Sequence, residues 1–196
     1  MSSQMSSKPN VDGVHCDVKV VERPMREIRP YDLLLRFLGL SLTLVATIIV
    51  GVDNETKVIS YAEMQFKATA KWEYVSAIVF FLVINAIACS YAAASLVITL
   101  MGRSSGRKNN DVTLLGLTAL DLVMMALLFS ANGAACAVGV IAQKGNSHVQ
   151  WMKVCNVFDA YCRHVTAALV LSLFGSTVFL LLVLLSVLKL HYRTRS

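Results

Sequence analysis

Val112-Thr-Leu-Leu-Gly-Leu-Thr-Ala-Leu-Asp121-Leu-Val-Met-Met-Ala-Leu-Leu-Phe-Ser-Ala-Asn132-Gly-Ala-Ala-Cys136-Ala-Val-Gly139-Val-Ile-Ala142 is an apolar run that carries one charge, Asp121. A helix needs about 20 such residues to cross the ~30 Å hydrocarbon layer of a bilayer, rising 1.5 Å per residue. This run exceeds that length, so it must tilt or project beyond the bilayer. Three more runs reach the same threshold, giving predicted spans at 33–52, 74–101, 112–142 and 167–188. None alternates with the period of two that a membrane barrel requires. Overall, 56% of the 196 residues are hydrophobic and 15% charged, against about 45–50% and 25% in soluble domains. The expected fold is an all-α membrane protein, a bundle of four transmembrane helices.

What lies outside the runs is short and polar. The longest piece, 1–32, falls below the ~40 residues under which a domain rarely folds unaided, which excludes a separate catalytic domain outside the membrane. With Pro9, Pro24 and Pro30 it reads as a disordered tail, followed by a membrane domain over 33–190 and a second tail over 191–196. The net charge of +6 is placed beside the spans, the pattern of topology signals and lipid contact rather than of nucleic-acid binding. Lys19, Arg23, Arg26, Arg29, Arg103, Arg107, Lys108, Lys189, Arg193 and Arg195 fall on one side. Lys57, Lys67, Lys71, Lys144, Lys153 and Arg163 are spread over longer loops on the other. The excess of positive charge assigns both termini to the cytoplasm and puts Trp72 and Trp151 on the outer side, as interfacial anchors. The polar start Met1-Ser2-Ser3-Gln4 lacks the apolar core of a cleaved signal peptide, Ser2 excludes myristoylation, and the C-terminus has no prenylation box.

Two charges are set inside the spans. Arg36 lies one turn into the first, ~5 Å deep, and Asp121 nine residues into the third, ~14 Å deep. A charge at the centre of a spanning helix costs ~2.5–3.5 kcal/mol on insertion scales, so each needs a reason. Arg36 can snorkel to the headgroups or pair with Asp121; a short carboxylate at that depth cannot snorkel. At 100° per residue Arg36, Gly39, Thr43 and Thr47 share one face of the first span. Asp121, Met125, Leu128, Asn132, Ala135 and Gly139 share one face of the third. On the second, Asn85 shares a side with Cys89 and Ala92, beside a small-residue stripe of Ala86, Ser90 and Ala94. Small residues admit close backbone approach, and Asn and Thr hydrogen-bond across helices. Asn85, Asn132, Thr43 and Thr47 are therefore expected as polar packing residues, and Arg36 and Asp121 as a structural ion pair.

The loop over 143–164 holds Cys155 and Cys162, on the oxidising side if the topology is right. One continuous helix would separate them by ~10 Å, beyond the ~7 Å that a disulfide tolerates, so a bridge implies a bend or a break between them. A metal site with His164 or His148 is the weaker alternative, because Cys-x6-Cys-x-His has no standard zinc spacing. Cys89 and Cys136 read as inert packing residues, and Cys16 as a weak acylation candidate. Asn54-Glu55-Thr56 is an N-glycosylation sequon placed close to the membrane edge. Gly102-Arg-Ser-Ser-Gly-Arg-Lys108 lacks the spacing of a phosphate loop and reads as a connector, with Ser104 and Ser105 as phosphorylation candidates. The four His are scattered and no catalytic cluster or cofactor motif is present, so no enzyme activity and no cofactor are expected.

Together these residues resemble the plant CASP-like family, relatives of the Casparian strip membrane proteins, and its first group most. The likeness is carried by 120–134, Lys144-Gly-Asn-Ser-His148, Trp151, Cys155-Asn-Val-Phe-Asp159, Tyr161-Cys-Arg163 and Asn85-Ala-Ile-Ala-Cys-Ser-Tyr91. The family's Arg in the first span and Asp in the third match Arg36 and Asp121. The resemblance implies a MARVEL-like plasma-membrane protein that forms homo- and heterodimers or larger oligomers. It also implies a scaffold organising membrane domains and guiding cell-wall-modifying enzymes. Strip-forming relatives carry a Glu-Thr-Leu-Pro-Phe-Phe-type block in the first outer loop; 53–73 lacks it, which argues against a place in the strip itself. The rival function is an ion or proton transporter or channel subunit using Asp121.

Overall fold

A computed structural model of the chain describes residues 17–61, 64–104, 111–145, 148 and 153–195. Four helices make the bundle: α1 (Asp17–Val52), α2 (Ser76–Ser104), α3 (Asp111–Lys144) and α4 (Asp159–Arg195). Each contains a segment long and apolar enough to cross a membrane: Tyr31–Val52, Ser76–Gly102, Val112–Lys144 and Asp159–Tyr192. Between α1 and α2 stand β1 (Asn54–Tyr61) and β2 (Met64–Lys71), an antiparallel hairpin in register from Asn54↔Lys71 to Tyr61↔Met64. One end of the bundle therefore carries the hairpin and the other carries both described termini.

Three expected boundaries are corrected. Within 1–32, expected as a disordered tail, Asp17 onward is helical and α1 runs through Pro24 and Pro30. Val18, Val21, Met25 and Ile28 recur at the helical period, a signal that competes with the missing proline donors. The 191–196 tail is likewise shortened, since α4 continues to Arg195. At its other end α4 begins at Asp159, eight residues ahead of the expected span at 167, with an acidic residue favourably placed in its first turn. The hairpin was not expected at all. Thr56, Val58, Ile59 and Tyr61 suit a strand, as do Phe66 and Thr69, and the hydroxyls of Thr56 and Thr69 meet across the pair at 3.1 Å.

Local chemistry explains where α3 stops. Gly145 adopts φ 68, the left-handed turn that a Cβ would strain, and its N–H donates to the Ile141 carbonyl at 2.8 Å. Lys144 in the last turn complements the helix dipole.

The core has two parts. Ile84, Ala88, Ala92, Leu128, Ala131, Phe179 and Leu182 join α2, α3 and α4. Ala46, Val50, Ile78, Phe81, Ala135 and Ala168 join all four helices nearer the hairpin. Helices in lipid gain little from the hydrophobic effect against one another, so shape fit and polar contacts matter more. Alpha1 and α4 fit through glycines. A Cβ at Gly175 would lie 3.4 Å from Thr43 Cγ2, and one at Gly39 would lie 3.5 Å from Val178 Cγ1.

Candidate functional site

The sequence places a guanidinium on α1 and a carboxylate on α3, and the bundle brings them together. Arg36 Nη2 donates to Asp121 Oδ2 at 3.1 Å and Nη1 to Oδ1 at 3.4 Å, a two-pronged pair. Asp121 is fully buried and Arg36 is 3% exposed, so neither snorkels. The pair is the centre of a larger cluster. Asp32, one turn before Arg36 on α1, sets Oδ2 3.7 Å from Arg36 Nε, and its Oδ1 lies 3.6 Å from Lys189 Nζ on α4. From α2 the Tyr91 hydroxyl donates to Asp121 Oδ1 at 2.7 Å and also lies 3.2 Å from the Leu117 carbonyl. Two carboxylates thus face two cations, and every helix contributes a member.

This balance is what allows the charges to be there. An isolated ion taken out of water loses several kcal/mol of solvation, which only an opposite charge and further hydrogen bonds return. Asp121 receives three donors and Arg36 two anionic neighbours. Sequence reasoning missed Asp32, Lys189 and Tyr91. Asp32 and Lys189 sit at span edges, where charges are ordinary, although the i, i+4 spacing of Asp32 and Arg36 was a usable signal.

A second polar layer lies deeper in the bundle. Ser172 Oγ donates to Asn85 Oδ1 at 2.9 Å, and Asn85 Nδ2 donates to the Phe81 carbonyl. Asn132 Nδ2 donates to Ser176 Oγ at 2.9 Å, and Ser176 in turn to the Ser172 carbonyl. Asn85, Asn132, Ser172 and Ser176 are all at most 2% exposed. The serines, one turn apart in the apolar run of α4, were not anticipated as partners. Thr47 differs from expectation, its hydroxyl donating to the Thr43 carbonyl of its own helix, whereas the Thr43 hydroxyl donates to the Gly39 carbonyl and also meets the Cys89 thiol of α2. An i−4 carbonyl is the nearest acceptor to a helical Thr, and the methyl group of Thr43 faces α4 at Gly175.

The third layer fastens the hairpin end. Cys155 and Cys162 form a disulfide with Cα atoms 5.7 Å apart. The chain reaches that distance because Cys155 lies in the short turn Val154–Asn156 and Cys162 in the first turn of α4. His164 turns to Asp53, Nδ1 to Oδ1 3.1 Å, rather than to the cysteines. The Tyr161 amide donates to Glu55 Oε2 at 2.9 Å, tying β1 to α4. Asn54, the sequon residue, is exposed at the start of β1.

Some residues point elsewhere than expected. Ser90 and Ala94 of the small-residue stripe are exposed and Ala86 is half-buried, so the stripe faces outward. Cys136 is also exposed, one residue beyond the buried Ala135, so it does not pack in the core; Cys89 is half-buried. Cys16, Ser105, Arg107, Lys108 and Trp151 lie outside the described residues, as does the Ser104 side chain.

Residues 25–178 match the model of the Casparian strip membrane protein domain. CASP-like protein 1E1 of Vitis vinifera is 51% identical over 95% of this chain and 96% of its own length. CASP-like protein 1E2 of the same plant is 47% identical over 97% and 99%. CASP-like protein 1E1 of Arabidopsis thaliana is 40% identical over 94% and 97%. No solved structure matches. A multi-pass membrane chain, matched by that domain over most of its length and by full-length relatives, belongs to the plant CASP-like family of Casparian strip membrane protein homologues.

Proposed function

We propose that this protein is a non-enzymatic scaffold of the plasma membrane. Both termini are cytoplasmic, and the protein assembles with copies of itself and with relatives to organise membrane domains that guide local cell-wall modification. One observation carries the reading. Arg36 and Asp121 pair across helices, Asn85 and Asn132 each hydrogen-bond a serine of α4, and none of Arg36, Asp121, Tyr91, Asn85 or Asn132 lines the cavities at the hairpin end. A transport path would leave such groups beside a continuous wet route. Assembly is supported by small residues that this chain leaves uncovered. Ser90 and Ala94 on α2 and Ala126, Ser130, Gly133 and Ala137 on α3 are exposed, and a Cβ at Gly133 would meet nothing within 4 Å. Small faces of this kind let a helix of another copy approach closely.

Photobleaching of a fluorescently tagged copy in plant cells tests the proposal. A scaffold leaves a large immobile fraction within a restricted patch of plasma membrane. Full recovery over the whole membrane contradicts it.

A further inference from the structure

At the hairpin end, residues of β2, α2, α3 and α4 line a cavity of about 920 Å³, partly open to the surroundings. That lies within the ~300–1,000 Å³ of small-molecule sites. Its walls are apolar: Ile78 from α2, Val138 and Ile141 from α3, and Val165 from α4. Val138 is six residues from the end of α3 at Lys144, which carries the cavity ~9 Å along the helix axis. Its mouth is different. The exposed Lys71 lies there beside Ser76, the first residue of α2, whose first turn holds no acidic side chain. The helix N-terminus adds its partial positive charge to that of the lysine. Trp72 and Tyr74 stand at the same level, and aromatic residues at a helix end mark headgroup depth in a bilayer. The cavity is thus cationic at headgroup depth and apolar below it.

We infer that this cavity binds a long-chain fatty acid, with its carboxylate at Lys71 and the start of α2 and its chain along the α2–α3 crevice. Charge complementarity selects the head: among the described lining residues Lys71 is the one charged side chain, Glu73 standing outside them, and with the helix end it suits a single anionic group. The inference is independent of the scaffold reading, since a scaffold needs no bound lipid and a fatty-acid site needs no assembly.

The test uses the full chain in neutral phosphatidylcholine nanodiscs and a diazirine-bearing palmitic acid, at alkaline pH where the acid is ionised. Saturable labelling of the α3 and α4 segments at the hairpin end is expected. Palmitate should displace the probe about tenfold more effectively than hexadecanol, the difference a charge-assisted contact gives. Lys71→Glu should remove that preference. Gly139 lines the cavity and a Cβ there meets nothing within 4 Å, so Gly139→Phe should fill it and suppress labelling. Should the phenylalanine variant not fold, Lys71→Glu decides, because the lysine is exposed. Equal displacement by palmitate and hexadecanol overturns the inference. So does labelling that both variants leave unchanged, or displacement by phosphatidylglycerol at concentrations as low as those of palmitate, which would make the occupant a diacyl lipid.

Discussion

Arg36 and Asp121 are each expensive alone and tolerable together, and that asymmetry makes the pair testable. Removing one partner strands the other in a low-dielectric site at a cost of about 3–5 kcal/mol. Asp121→Asn and Arg36→Leu should each lower thermal stability in detergent micelles and the yield of folded protein at the membrane. The double variant should cost less than the sum of the two, whereas strict additivity would remove the pair as a unit. Tyr91→Phe keeps the ring and removes one donor to Asp121, so its cost should be about 1–3 kcal/mol, below that of either charge deletion. At this scale the ion pair was legible because two single, opposite charges stood in otherwise apolar runs. Asp32, Lys189 and Tyr91 were not, because a charge at a span edge or a phenol in an apolar run has ordinary explanations that need no partner.

Elements were legible where one signal dominated. Four apolar runs gave four helices, since no other structure satisfies its own backbone across lipid except a closed barrel. Signals that competed hid the rest. The prolines at 24 and 30 masked the early start of α1, and Asp159, Arg163 and His164 disguised the first turns of α4 as loop. The hairpin had no turn signature, because Ala62-Glu63 lacks the Gly or Asn that marks a two-residue connection. An isolated two-stranded hairpin is marginal in water, and this one is held at its base by Glu55 on the Tyr161 amide and by Asp53 on His164. The disulfide fixes the turn that positions that stretch of α4. Cys155→Ser should therefore cost about 2–4 kcal/mol and increase proteolysis between α3 and α4, as should Cys162→Ser, and the double variant should be no worse than either. A clearly larger loss in the double variant would mean that the two cysteines act separately.

Across the whole molecule, polar chemistry is stacked in three layers, two running between helices and the third tying the hairpin end to α4. The charge cluster lies toward the end that carries the termini, the amide–serine layer lies in the interior, and the disulfide, His164 and Glu55 lie at the hairpin end. Such a bundle is fastened at several depths, which suits a unit that assembles rather than one that must open. The family and the helical class could be read from sequence residues, but the closure of these layers required the packing of all four helices. That closure is the central claim, and reconstituted liposomes test it most directly. Proton and cation flux into vesicles carrying the protein should match empty vesicles, and Asp121→Asn should leave it unchanged. Flux above the empty-vesicle level that Asp121→Asn abolishes would show that the buried carboxylate borders a conducting path, and would contradict the account.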